Sequence, residues 1–470
     1  MPDTSWRPDL TQFRGPKYIA LSHALRDAVR SGALPEGTRL PPVRDLAWHL
    51  GVTPGTVARA YQIGTQDGLL EAAVGRGTFV ASRTPQLGPT EPMHTGTTRA
   101  TGQRAAGALD LRSPDLPEVG QGAAIAAALR AMADAVGPDY LDYPGVRSDQ
   151  GLRAALARWL DDRPLGAIGA EDIVLTNGGQ NAIGIIFQCC LRGERPVVFA
   201  EELAYPGFRH AARLNRAEVI PVALDGQGMR ADALDLACRR HAGRIVCLTP
   251  EAQNPTTARM TPERRAEIVA VARMHDLQIL EDDCYAPAHD GTPALRAAAP
   301  ERTWHVTSLS KSIAAGLRFG VVVAPTGRGE AARLAAQHNF FGLARPVTDL
   351  VQRLLETGEA DRLRAAVRAA MARRLEIALN ALGRHDVGWQ KGLSYLWVRM
   401  PSGWRASSFG REAEAAGVLV RQADEYALSE GRAPNAVRVA LAGGATEARF
   451  AEAMQALARL LDNPPRELSV

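Results

Sequence analysis

The sequence contains very little lysine, although it is rich in arginine. Lysine and arginine together number 55, and only Lys17, Lys311 and Lys391 are lysine. Arginine has therefore taken nearly all of the ordinary solubilising cationic positions. A guanidinium keeps its proton near neutral pH, whereas an amine can lose one and attack a carbonyl carbon. A lysine kept in such a composition is a candidate for chemistry that arginine cannot perform.

Cysteine is scarce as well, and long apolar runs are missing. The five cysteines form no Cys-x-x-Cys pair and their number is odd, which argues against a disulfide framework and a zinc site. There is neither an apolar stretch of about 20 residues nor an apolar signal segment at the start, so we expect a cytoplasmic protein without a membrane partner. The net charge of +4 is too small to indicate a nucleic-acid partner by itself.

Composition changes once along the chain. Residues 82–109 are rich in proline, glycine and threonine and have too few apolar residues to pack, which predicts a flexible linker. The linker separates an N-terminal domain at residues 1–81 from a C-terminal domain at residues 110–470. The latter alternates apolar, β-rich runs with helical stretches, which predicts a mostly parallel sheet covered by helices on both faces.

Polar residues follow these apolar runs, and ligands of parallel sheets bind beyond the carboxyl ends of the strands. In chain order they are Gly178, Gly179 and Gln180 after residues 173–176, Asn254 after residues 244–249, Asp282 and Tyr285 after residues 278–280, and Ser308, Ser310, Lys311 and Arg318 after residues 305–307. Each feature alone is usually structural, since paired glycines often form a turn and a single aspartate often caps a helix. Their order on successive strand ends is the informative feature.

Taken in this order, the residues resemble the fold-type I enzymes that use pyridoxal 5′-phosphate, in their aspartate-aminotransferase-like branch, over about residues 110–465. The resemblance implies an α/β domain with a mostly parallel sheet, a smaller α+β subdomain and a head-to-tail, domain-swapped homodimer. It implies that Lys311 forms the internal aldimine with the cofactor. It also implies that Asp282 keeps the pyridine nitrogen protonated, which makes the ring an electron sink.

The same resemblance implies roles for the remaining residues. Asn254 and Tyr285 would hydrogen-bond the 3′ oxygen of the ring, and Tyr205 would stack on the ring. Arg438 would bind a carboxylate of a substrate or effector, and Tyr143 would reach the site of the neighbouring subunit. The phosphate would be held by Gly178, Gly179, Gln180, Ser308, Ser310 and Arg318.

Two observations complicate this interpretation. Ser308–Lys311 also fits Ser-x-x-Lys, the nucleophile motif of penicillin-recognising enzymes, but the Lys-Thr-Gly and Ser-Asp-Asn motifs that those enzymes need do not occur. In addition, Ala315 stands where aminotransferase-like proteins often have proline. We expect a looser loop there, but the spacing of Arg318 is kept and cofactor binding is still expected.

The N-terminal domain is predicted to contain three helices and a hairpin with a basic, glycine-rich tip. Thr53 at the N-cap and Pro54 at the first helical position favour the start of the third helix. The motifs Leu40–Ala47 and Gly75–Val80, with those between them, resemble the GntR-type winged helix-turn-helix over residues 17–81. Joined to an aminotransferase-like domain, this resembles the MocR subfamily of bacterial transcription regulators.

The GntR resemblance implies that the helix beginning at Thr53 enters the major groove of a double-stranded DNA operator. The candidate DNA contacts are Arg44, Thr56, Arg59, Arg76 and Gly77. Pro54 stands where related proteins commonly have arginine. The operator sequence therefore cannot be carried over from relatives.

Three functions remain open at this point. The first is a DNA-binding regulator that holds pyridoxal phosphate on Lys311 and senses an amine, an amino acid or the cofactor itself. The second is an active aminotransferase with an accessory DNA-binding domain, and the third is a regulator whose C-terminal domain only dimerises. We expect the first, a regulator rather than an enzyme, although the first two need the same lysine. Arg438 indicates an effector with a carboxylate or sulfonate, such as an α-, β- or γ-amino acid or taurine.

Overall fold

A computed structural model of the chain describes residues 6–10, 16–35, 37–66, 69–73, 77–81, 108–145, 148–285, 287, 291–428, 433–441 and 444–464. These residues form two compact units, one within Met1–Pro92 and the other within Met93–Val470. Most of the predicted linker, residues 82–107, lies outside the described residues, while its last residue, Leu109, begins a short strand. The predicted domain limits stay a prediction. Within the described residues, no helix is long and apolar enough to cross a membrane.

Helices dominate the first unit, whereas helices and strands alternate along much of the second. The helices are α1 (Lys17–Arg30), α2 (Val43–Leu50), α3 (Pro54–Gln66), α4 (Gln121–Ala133), α5 (Gln150–Trp159), α6 (Gly179–Cys190), α7 (Pro206–Leu214), α8 (Ala231–Arg240), α9 (Pro262–Met274), α10 (Leu295–Ala298), α11 (Gly329–Phe340), α12 (Arg345–Glu356), α13 (Glu359–Leu382), α14 (Ala406–Ala415) and α15 (Glu447–Asp462). The strands are β1 (Leu70–Ala73), β2 (Gly77–Val80), β3 (Leu109–Asp110), β4 (Ile173–Thr176), β5 (Val197–Glu201), β6 (Glu218–Val222), β7 (Leu224–Asp225), β8 (Gly228–Met229), β9 (Ile245–Leu248), β10 (Gln278–Asp282), β11 (Thr303–Ser308), β12 (Gly320–Val323), β13 (Val387–Gly388), β14 (Tyr395–Arg399), β15 (Val418–Leu419), β16 (Arg421–Gln422) and β17 (Ala436–Ala440).

The first unit packs three helices against an antiparallel hairpin. Gly51 ends α2 in the left-handed conformation (φ 60°), which allows the tight turn into α3. Thr53 caps α3, since its Oγ1 accepts the N–H of Thr56 at 3.3 Å, and Pro54 is the first helical residue, as predicted. The strands β1 and β2 pair with each other, and the domain closes over a shared apolar core. The predicted winged helix-turn-helix architecture is confirmed.

The second unit is built on a seven-stranded sheet with the order β4-β12-β11-β10-β9-β5-β6. The strand β12 runs antiparallel to β11 and β4, and the other neighbours are parallel, which confirms a mostly parallel sheet. Apolar cores cover both faces, with Phe187 and Phe208 in one and Phe199 and Leu234 in another. The four apolar runs named from the sequence lie in β4, β9, β10 and β11.

A smaller subdomain follows the large one. Its antiparallel sheet has the order β13-β14-β17-β16 and packs against α13, α14 and α15 through a separate apolar core. The strand β3, from the beginning of the unit, pairs with β15 and so joins this small subdomain. The two subdomains meet beside the sheet of the large one, where Leu203 forms an isolated bridge with Ala427.

Candidate functional site

Lys311 lies on a one-turn 3-10 helix, Leu309–Lys311, directly after β11. Its Nζ donates to the carbonyl oxygen of Pro114 at 2.8 Å. Burial lowers the pKa of the amine, the charge of Arg438 adds to this effect, and Tyr285 acts in the opposite direction. A lowered pKa leaves more of the amine unprotonated at neutral pH, which is the nucleophilic form. The setting fits the reaction proposed for this lysine.

Asp282 is the last residue of β10, and Tyr285 lies three residues after it. The carboxylate of Asp282 accepts the N–H of Cys284 at 2.9 Å. Loss of water contact raises the pKa of Asp282, and the bonds from Cys284 lower it only in part. Within the described parts of the chain, no cationic side chain forms an ion pair with Asp282. A protonated ring nitrogen would supply such a partner.

Arg438 lies on β17 and is only 2 % exposed. Its Nη1 donates to Asn254 Oδ1 at 2.8 Å and to the hydroxyl of Tyr285 at 3.2 Å, and its Nη2 donates to the carbonyl of Arg112 at 2.9 Å. The structure therefore joins three predicted site residues, one from the small subdomain and two from the large one. The acceptor on Arg112 was not predicted from the sequence.

The positive charge of Arg438 has aromatic and neutral neighbours. Its guanidinium carbon lies 4.9 Å from the ring centroid of Tyr395 and 5.1 Å from that of Tyr426. No described carboxylate forms an ion pair with it, and no described group accepts a hydrogen bond from its buried Nε. A buried charge without a counter-charge costs several kcal/mol. An anionic ligand would offset this cost.

Gln253 holds the loop that carries Asn254. Its Nε2 donates to Glu201 Oε2 at 3.1 Å and to the carbonyl of Leu203 at 2.6 Å, while its Oε1 accepts the hydroxyl of Thr256 at 2.6 Å. Burial raises the pKa of Glu201 to about 7. Sequence analysis missed Gln253, although its position directly before Asn254 in a polar loop was a usable signal.

The two predicted phosphate-binding glycines approach their neighbours very closely. A Cβ on Gly178, whose φ is +85°, would lie 2.5 Å from Arg318 Nη2, and one on Gly179 would lie 2.7 Å from the Sγ of Cys284. Gly179 begins α6, whose first N–H groups and positive dipole end favour an anion. The glycines leave room here that any side chain would fill.

The other predicted phosphate ligands lie around this point. Arg318 adopts a left-handed φ of 48°, its bonds to backbone carbonyls are 3.4 Å or longer, and it forms no ion pair with the residues described. Gln180 Nε2 donates to the carbonyl of Gly207 at 2.9 Å, and its buried Oε1 has no described partner. Ser308 ends β11, and Ser310 lies in the following 3-10 helix.

These residues together fit pyridoxal phosphate. A nucleophilic amine, a desolvated carboxylate and a glycine cradle beside an unpaired guanidinium match the aldehyde, ring nitrogen and phosphate of that cofactor. Tyr205, the N-cap of α7, lies beside Gln180, since a Cβ on Gly207 would meet both the ring of Tyr205 and the Oε1 of Gln180. Burial raises the pKa of its hydroxyl, and the charges of Asp282 and Tyr285 add to this effect. Its predicted stacking on the ring is compatible with this position.

Tyr143 is exposed, in contrast to the buried residues around Lys311. It is 83 % exposed, and its ring centroid lies 5.6 Å from that of Phe341, which is 64 % exposed. Its ring thus contacts another exposed aromatic residue. The predicted role of Tyr143 in a neighbouring subunit stays a prediction.

The candidate DNA contacts are distributed over the first unit. Arg44 is exposed on α2, and Thr56 lies in the first turn of α3 with its hydroxyl 3.0 Å from that of Thr53. The exposed Arg59 stacks its guanidinium 4.1 Å from the ring centroid of Tyr18. Gly77 begins β2 with a φ of +114°, whereas Arg76 lies outside the described residues.

A single methyl group in the glycine cradle should disrupt phosphate binding. We expect Gly178→Ala to weaken pyridoxal phosphate binding at least tenfold, or about 1.4 kcal/mol, because its Cβ would displace Arg318 and strain a left-handed backbone. The matched control is Gly184→Ala, where a Cβ on α6 would meet nothing within 4 Å. Absorbance titration with the cofactor measures the affinity of both variants. Equal affinities would contradict a phosphate-binding site at Gly178.

Comparison with known proteins is consistent with this division of the chain. Residues 108–457 match the family Aminotransferase class I and II, and residues 17–80 match the bacterial regulatory proteins of the gntR family. The uncharacterized HTH-type transcriptional regulator YdeF of Bacillus subtilis is 27 % identical over 98 % of this chain and 97 % of its own length. The probable rhizopine catabolism regulatory protein MocR of Rhizobium meliloti is 28 % identical over 66 % of each chain. A crystal structure of an archaeal alanine:glyoxylate aminotransferase has the same fold, with a TM-score of 0.67 at 22 % identity over 76 % of this chain and 91 % of that one.

Proposed function

We propose that this chain senses a small amine through pyridoxal phosphate. The premise is that it belongs to the aminotransferase class I and II family and is a MocR-type transcriptional regulator with a GntR domain. The cofactor would be held on Lys311, and the amine would carry an anionic group that binds Arg438. The observation that carries this proposal is the buried Arg438, which has no described counter-charge and shares Tyr285 as a neighbour with Lys311.

The chain's own residues would each have one task. Bound pyridoxal phosphate supplies an aldehyde for amines and a ring that withdraws electrons. Lys311 would anchor it, and Asp282 would keep the proton on the ring nitrogen. Arg318 would neutralise the phosphate, and its planar guanidinium can bind two oxygens at once. Tyr285 would hold a proton near the 3′ oxygen of the ring.

Effector binding would change the relation between the two subdomains. Arg438 belongs to the small sheet, while Asn254 and Tyr285 belong to the large subdomain. An anion on the guanidinium would compete for its donors and shift these contacts. A ligand moves such an equilibrium only by its difference in affinity for the two states. In a homodimer, this change between the subdomains would alter how the two DNA-binding domains bind one operator.

Product analysis separates a regulator from an aminotransferase. The cofactor-loaded full chain is tested with a panel of α-, β- and γ-amino acids and taurine. We expect at least one of these amines to change the cofactor absorbance. At most one equivalent of keto or aldehyde product should form per site. Continued product release over many turnovers would instead show an active aminotransferase. That alternative stays open because the chain has all of the residue types that contact the cofactor in such enzymes.

DNA binding should depend on Arg44 through the phosphate backbone. We expect Arg44→Ala to weaken binding to all sequences alike and to reduce the slope of log affinity against log salt by about 1, as loss of one phosphate contact does. Arg239→Ala is the matched control, since Arg239 is exposed on α8 of the other unit and pairs with Asp235. Fluorescence anisotropy at several salt concentrations measures the slopes, and an unchanged slope in Arg44→Ala would exclude the contact.

A further inference from the structure

A short segment near the start of the second unit contacts two cationic side chains of the site, Lys311 and Arg438. Residues 110–115 are called the strap here. Within it, the carbonyl of Arg112 accepts from Arg438 Nη2 at 2.9 Å, and the carbonyl of Pro114 accepts from Lys311 Nζ at 2.8 Å. A ligand that takes Arg438 Nη2 or Lys311 Nζ competes with a backbone carbonyl of the strap.

The carboxylate of Asp110 fixes the shape of the strap. Its Oδ1 accepts both the backbone N–H and the Nε–H of Arg112 at 3.0 Å, and its Oδ2 accepts Nη2 at 2.9 Å. Asp110 is 6 % exposed. Paired, charge-assisted bonds of this kind are strong and directional. One buried carboxylate therefore holds the side chain and the backbone of Arg112, whose carbonyl contacts Arg438.

The strap joins the two subdomains. Its first half is fixed to the small subdomain by two backbone bonds of 2.8 Å, from Leu111 N–H to Leu419 O and from Ala440 N–H to Leu111 O. Leu109, directly before the strap, donates to Gly417 O at the same distance. Ala440 lies two residues after Arg438 in β17. Pro114, in the second half, is bonded instead to Lys311 of the large subdomain. A change at either cation therefore acts on one short stretch of backbone.

We propose that Asp110 is a positioning residue that makes the strap the link between the ligand site and the DNA-binding domain. The proposal rests on the function proposed above. An anion on Arg438 competes with the carbonyl of Arg112, and cofactor attachment takes Lys311 Nζ from the carbonyl of Pro114. Residues 82–107 lead along the chain to the winged helix-turn-helix, and only residues 108 and 109 separate them from Asp110, where the strap begins.

Hydrogen exchange of the full chain tests the strap directly, with pyridoxal phosphate as the probe. We expect cofactor loading to change amide exchange in a peptide that covers residues 108–117, while a peptide from α9 stays the same. Absorbance reports loading in the same samples. Loading without any change in the strap would overturn the strap proposal and leave the proposed function intact. Failure of the chain to load on Lys311 would overturn both.

Two matched variants test the role of Asp110. In wild type we expect loading to change the DNA dissociation constant about fivefold or more, within the usual range of allosteric coupling. Asp110→Asn should still bind the cofactor, but its DNA response should fall below about twofold. The control is Arg230→Ala, which breaks an exposed Arg230–Asp232 pair of the same two-residue spacing and should respond as wild type does. A folded Asp110→Asn protein with the full DNA response would overturn the proposal. If that variant does not fold, the hydrogen-exchange experiment on the wild-type protein decides the question instead.

Discussion

Lys311→Ala is expected to abolish covalent capture of pyridoxal phosphate and, with it, the response of DNA binding to an amine. The alanine has no nitrogen to bond to the cofactor, so affinity should fall by at least about 100-fold, or about 2.7 kcal/mol. DNA binding by the full chain should persist, because the winged helix-turn-helix has its own core. Borohydride reduction followed by peptide mass spectrometry identifies the modified residue.

Lys391→Ala is the matched control for this experiment. Lys391 is exposed and belongs to the small subdomain, so its removal should leave capture unchanged. In wild type, the rate of capture should rise with pH, because deprotonation creates the nucleophile. Burial lowers the pKa of Lys311, so this rise should occur below the ordinary lysine range near 10.4. An amine response that survives in Lys311→Ala would falsify the proposed site.

Arg438→Lys is expected to have the second largest effect, on the affinity for the effector. A lysine keeps the charge but cannot present the planar fork that contacts Asn254, Tyr285 and Arg112. Loss of a buried, hydrogen-bonded charge contact costs about 2–5 kcal/mol, so the effector affinity should fall at least about 30-fold. Titration of the cofactor-loaded protein with the active amine measures this change.

The control for Arg438 is Arg399→Lys. Arg399 lies on the neighbouring strand β14, is exposed and pairs with Asp386 at 2.9 Å. Its replacement should leave the effector affinity within about twofold, as expected of an exposed ion pair. If both variants bound the amine equally well, Arg438 would have no role in recognition. A thermal melting curve of each variant separates loss of binding from loss of folding.

Much of the fold was predictable because the strands of the large sheet are buried on both faces. Such strands appear in the sequence as continuous apolar runs, and β4 and β9 are buried at every position. The strand β6 was missed because most of its residues are only partly buried, which weakens the apolar run. The two-residue strand β3 was missed because its partner, β15, lies more than 300 positions away.

The candidate site was predictable where its chemistry depends on side chains at strand ends. Lys311, Asp282 and Arg438 could be named as candidates because their residue types are unusual in their settings. The contacts of Arg112 and Pro114 were not found, because each uses a backbone carbonyl that every residue possesses. Gln253 was missed because a polar residue in a loop is common. Position in space, which the sequence does not state, distinguishes these residues from their neighbours.

The pairing of β3 with β15 sets a limit on how this protein can be divided. If the chain were divided after Asp110, the C-terminal part would lose β3, the strand that pairs with β15 of its small subdomain. The carbonyl oxygen of Gly417, which accepts the N–H of Leu109, would then lose this partner, and the apolar neighbours of Leu109 would meet water. Unpaired strand edges promote aggregation. A C-terminal unit prepared by itself must therefore begin before Leu109 to keep this pairing.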